Sequence, residues 1–171
     1  VGKDSTSDGT MKALDQALLS PRSQEKNVPT VDPKTFRKRC PNRVFIVDGG
    51  SASDVLNAAN AENELQGFIR DTFAHLQFET AGGGTTSSRG IRIRIASWDK
   101  PSDYVMLEDS PNLLTLGERV MMAGFTHIWV HGSYPCFISP DGRYIVIVDV
   151  DGVLPVWSPD METGPDTLGT F

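Results

Sequence analysis

The segment Phe45-Ile46-Val47-Asp48-Gly49-Gly50-Ser51 carries the most chemistry in this sequence. An apolar run delivers one carboxylate to a turn, and two glycines let backbone amides approach it. Aspartic proteolysis requires this arrangement. Two such carboxylates share one proton, because like charges in contact cannot both ionise. One then acts as base on a water and the other as acid toward the substrate carbonyl. A chain with one such segment needs a second copy of itself to complete the pair.

Other reactive groups are less well placed. Tyr144-Ile145-Val146-Ile147-Val148-Asp149-Val150-Asp151-Gly152 resembles the first motif of haloacid-dehalogenase-type phosphatases. That resemblance implies a nucleophilic Asp149 and an acid/base Asp151 beside magnesium. The family's remaining acids and lysine need far more chain than follows here, so an acidic strand end is the expected reading. Cys40 and Cys136 match no zinc or disulfide spacing. His75, His127 and His131 sit in different segments and are expected to be structural. Residues 82–84 form a glycine run without the Lys-Ser/Thr ending of a phosphate loop.

Strands are expected to position Asp48. Residues 43–48 read as a buried strand, and Gly90-Ile91-Arg92-Ile93-Arg94-Ile95 alternates as a half-buried one. The latter pairs as a hairpin with residues 77–80, across a permissive stretch from Ala81 to Ser88. Further strands are expected at 104–107, 125–130, 136–138, 144–148 and 153–157, with a tight turn at Pro140-Asp141-Gly142-Arg143. Residues 53–75 are rich in helix formers and predict at least one helix. Leu113, Leu116, Val120 and Met121 predict a second helix ending at Gly124. Trp98, Trp129 and Trp157 are assigned to the core or a subunit contact.

The order of segments resembles the retropepsin-like aspartic protease domain of retrotransposon (copia-like) polyproteins. Asp48-Gly49-Gly50 resembles the Asp-Thr/Ser-Gly motif. Phe78-Glu79-Thr80-Ala81-Gly82-Gly83 resembles the flap, and Ser110-Pro111-Asn112-Leu113-Leu114-Thr115-Leu116-Gly117 the late apolar-glycine motif. The segments Gly124-Phe125-Thr126-His127-Ile128-Trp129 and Pro135 to Gly142 resemble an extension found downstream of such units. The resemblance implies a mostly β fold: a small closed or partly closed barrel with one late helix and a β extension. It implies Asp48 as catalytic residue. Gly50, Ser51, Ala81, Gly82, Gly83 and Gly84 would contact a polypeptide substrate in a homodimer without metal or cofactor. Gly49 departs from the family, whose hydroxyl there bonds across the dimer beneath the acids. A non-catalytic structural or interaction protein derived from such a unit is the alternative.

Composition sets the remaining expectations. A net charge of −6 disfavours nucleic acid as a partner. The basic cluster Lys34, Arg37, Lys38 and Arg39 reads as a solvated linker. No apolar run is long enough for a membrane helix, and no leader is evident, so an intracellular, cytoplasmic chain is expected. Residues 1–40 are assigned to a linker with a short amphipathic helix near 9–19. Residues 41–125 form the main domain, 126–157 a β-hairpin extension packed on it, and 158–171 a tail.

Overall fold

A computed structural model describes residues 28–61, 64–80, 83–98 and 100–161, with the side chains of 72–80 and 161 left undescribed. The expected helix at 9–19 and the tail beyond 161 lie outside these residues. Among those described, twelve strands form two sheets. They are β1 (Thr30–Val31), β2 (Phe45–Asp48), β3 (Asp54–Asn57), β4 (Ile69–Thr80), β5 (Gly83–Ile93), β6 (Ser102–Leu107) and β7 (Leu113–Thr115). They continue with β8 (Thr126–Ile128), β9 (Cys136–Ile138), β10 (Ile145–Ile147), β11 (Asp149–Asp151) and β12 (Leu154–Trp157). The large mixed sheet runs β1-β5-β6-β3-β7-β2-β12-β11, with β4 pairing β5 as well. The small sheet runs β10-β9-β8.

The fold is thus mostly β, but the expected barrel closure is corrected: the large sheet is open. β11 forms one edge and β1 and β4 the other, and no pairing joins these edges among the described residues. β7 is inserted between β2 and β3, which are consecutive in sequence. It runs parallel to β2 and antiparallel to β3.

Residues 53–75 do hold a helix, but a short one, and the late helix is in part a strand. Among the described residues of 53–75, α2 (Ala58–Ala61) and a 3₁₀ turn at Gln66–Phe68 are helical. Val55 and Leu56 belong to β3, which pairs in parallel with Val105 and Met106 of β6. That long-range ladder overrides the local helix propensity. The late helix is β7 followed by a single π-helical turn at Glu118–Met122. Met121, assigned to its buried stripe, is 80% exposed. Gly124 ends the turn at φ 79°, as expected of glycine.

Order also begins before residue 41. α1 (Pro33–Arg39) is capped by Asp32, whose carboxylate accepts from the amides of Lys34 and Thr35 at 3.0 Å. It buries Phe36, and β1 buries Val31, both in the main core. The basic cluster therefore rides on a docked helix. Cys40 follows it; burial pushes its thiol up to about 11, with Arg43 opposing.

Within residues 126–157, β8 to β10 form the small sheet, while β11 and β12 belong to the large one. β12 rejoins it by pairing with β2, Val156 opposite Ile46 and Trp157 opposite Phe45. Trp98 lies at the junction, with ring centroids 5.3 Å from Phe125, 5.2 Å from Phe137 and 5.3 Å from Trp157. Trp98 and Trp157 pack the core, whereas Trp129 is exposed. Among the described residues no helix is long and apolar enough to cross a membrane.

Candidate functional site

Asp48 is the last residue of β2. Phe45 and Val47 face the main core, so alternation puts Ile46 and Asp48 on the opposite face. The carboxylate is half-buried, and its Oδ1 accepts the amide of Gly50 at 2.8 Å. A side chain at Gly50 would bring its Cβ within 3.4 Å of that oxygen. Among the described residues Asp48 enters no ion pair. At Gly49 a Cβ would meet only Leu116 Cδ2, at 3.8 Å, so a side chain fits there. Ser51 Oγ donates within the loop to the Ser53 carbonyl at 2.6 Å, rather than to Asp48.

Of the expected contact residues, Gly50 and Ser51 follow Asp48 in its loop, and Gly83 and Gly84 belong to a different element. Gly83 and Gly84 are in β5, paired with Thr80 and Glu79 of β4, and the strand order continues through Ser88. The permissive loop expected from Ala81 to Ser88 is thus mostly strand. Gly83 has φ 115°, a conformation that favours glycine. Ala81 and Gly82 lie outside the described residues. β4 and β5 make a long antiparallel hairpin with a register shift between Asp71 and Leu76.

A second acid was missed by the sequence reading. Asp54 opens β3 at the other end of the Asp48 loop and is 1% exposed. Its Oδ2 accepts Arg119 Nη2 at 2.7 Å, and its Oδ1 accepts the Thr115 amide at 2.7 Å. Arg119 Nη2 also donates to the Tyr104 hydroxyl at 3.4 Å, and its guanidinium lies 5.2 Å from the Trp98 ring centroid. Burial pushes the Tyr104 hydroxyl far up, and Asp54 adds to this. A lone arginine inside the apolar run 113–125 was the available signal.

Thr115 is opposite Asp48 in the β2–β7 ladder, so both loop ends meet one residue. Asn112 secures the start of β7. Its side chain accepts the Asn57 amide at 2.9 Å and donates to the Asn42 and Val44 carbonyls, each at 3.1 Å. Leu113 and Val55 pack with Val105 and Leu107 in a small apolar cluster separate from the main core.

The rival acids are placed differently. Asp149 and Asp151 lie on β11, an edge strand antiparallel to β12, and Asp149 Oδ1 accepts the neighbouring Val150 amide. Among the described residues no cluster of three or more His, Cys, Asp or Glu is positioned to hold a metal. His127 packs on Phe137 at 4.7 Å with Nε2 buried and unpartnered; burial lowers its basicity. No protein-family model and no curated protein matches this chain.

Proposed function

We propose that this chain is a retropepsin-like aspartic endopeptidase unit of a retrotransposon-type polyprotein. It acts on extended polypeptide as a homodimer, each copy contributing Asp48. The observation that carries this reading is the placement of Asp48. It ends a buried strand, is held by a glycine amide, and stands beside a strand inserted between the two strands its loop connects. The long β4–β5 hairpin supports the assignment of a flap, which would close over a peptide lying as an added strand.

Gly49 favours a second reading, a non-catalytic interaction protein derived from such a unit. Without a hydroxyl at 49 each copy loses one buried hydrogen bond, roughly 0.5–1.5 kcal/mol. Space beside Leu116 admits threonine. The test is a peptide-library digest at mildly acidic pH with the parent chain, Gly49→Thr and Asp48→Asn. Endopeptidase activity predicts cleavage roughly ten- to a hundredfold faster in Gly49→Thr, from two restored hydrogen bonds. Asp48→Asn should abolish it. Cleavage that survives Asp48→Asn excludes the mechanism. A folded Gly49→Thr chain that cuts nothing favours the non-catalytic reading.

A further inference from the structure

Three positions near Asp48 in sequence or ladder could carry a hydroxyl. Position 49 is glycine. Ser51 is engaged with the Ser53 carbonyl. The third is Thr115, register partner of Asp48 in the parallel β2–β7 pair.

Thr115 has the features of a built contact. It is 3% exposed, and its Oγ1 is buried with no hydrogen-bond partner. Buried hydroxyls are ordinarily satisfied, so an orphan here calls for an explanation. Leu114 faces the main core, so Thr115 faces the same way as Asp48. Neighbouring strands are about 4.8 Å apart, a gap that two short side chains span with a hydrogen bond. The backbone of Thr115 is meanwhile fixed, because its amide donates to buried Asp54, which Arg119 holds.

We infer that Thr115 is the positioning residue for Asp48: a step between staggered χ1 rotamers lets its hydroxyl donate to the carboxylate oxygen that Gly50 does not hold. The charged and titratable groups nearest the Thr115 backbone are Asp54, Arg119 and Tyr104, which bond one another on the core face, with Arg119 Nε left without a partner there. On the face that Asp48 shares, Thr115 Oγ1 is a buried donor without a partner. The purpose assigned to the contact, aiming a catalytic acid, rests on the endopeptidase reading.

The test compares the parent chain with Thr115→Ser, which keeps the hydroxyl, and Thr115→Val, which keeps the shape without it. Carbon-13 NMR of the Asp48 side-chain carboxyl in H2O and D2O reports every exchangeable hydrogen bonded to it. The parent and Thr115→Ser should show a hydroxyl component beside that of the Gly50 amide, and Thr115→Val should lose it. A thermal scan checks that the valine variant is folded. In the Gly49→Thr background, Thr115→Val should lower kcat about tenfold at unchanged KM, with Thr115→Ser restoring it. An identical isotope response in parent and valine variant overturns the inference, as does an unchanged kcat. If the isotope component behaves as stated but cleavage survives Asp48→Asn, the positioning contact stands and the endopeptidase reading fails.

Discussion

Asp48 and Asp54 are carboxylates at the two ends of one five-residue loop, yet the fold treats them in opposite ways. Asp54 is sealed in the core face, with a guanidinium on one oxygen and a backbone amide on the other. Asp48 is half-buried on the opposite face and held by a single amide. A carboxylate with both oxygens bonded to buried donors is structural. One held loosely beside an orphan hydroxyl has capacity to spare. The loop is therefore built so that one acid secures the turn and the other is presented by it.

The sharpest way to break this comparison is to remove one member of the buried pair. Arg119→Met leaves Asp54 charged and uncompensated in the core, at a cost of about 3–5 kcal/mol. Asp54→Ala leaves the Arg119 charge uncompensated in the core and the Thr115 amide without its acceptor, with a similar loss. Urea unfolding should show both. If either variant keeps the parent midpoint, the pair does not anchor the loop.

Asn112 tests the next level. Its side chain ties the entry of β7 to residues 42, 44 and 57. Asn112→Ala leaves one buried donor and shared carbonyls unpaired, for an expected loss of about 2–3 kcal/mol. Amide exchange should rise first in β7. Uniform protection across β2, β3 and β7 would show that the ladder holds without the latch.

Much of this scaffold was legible because alternation encodes a face directly. Ile91, Ile93 and Ile95 are buried as their spacing implied, while Arg92 pairs with Asp103 and Arg94 is exposed. The β9–β10 turn was legible from Pro-Asp-Gly, and Asp141 does accept from Ser139 and Arg143 there. Residues 53–75 were not, since Val55 and Leu56 become a strand through partners about fifty residues later. The Asp54–Arg119 pair was hidden for the same reason: its members are 65 positions apart. Asp48 was legible because a strand end, an acid and two glycines are contiguous. Its ladder partner Thr115, 67 positions later on β7, was not.

A smaller effect, read by pH, lies within the second sheet and its turn. Burial lowers the basicity of His127, so its folded value is below the ordinary 6.5. Its contribution to stability is full above 6.5 and is lost as pH falls below that value toward the folded one. Asp141 is held down to about 2 by Ser139 and Arg143, so its contribution is lost only below the usual carboxylate range. The two windows do not overlap. Tm measured from pH 7.5 to 5 should fall in the parent chain and fall less in His127→Leu. Parallel curves would remove His127 from the account.

The smallest expected effect is the most informative about Asp48. Asparagine in its place presents an oxygen at the Oδ1 position, so the Gly50 amide keeps its acceptor. No ion pair is lost among the described residues. Asp48→Asn should therefore change stability by no more than about 0.5 kcal/mol, against several for Asp54→Ala. A larger loss in urea unfolding would mean that the Asp48 charge supports the fold, and that the two acids differ only in degree. A change near zero means that nothing in the folding of a single copy calls for an acid at this strand end.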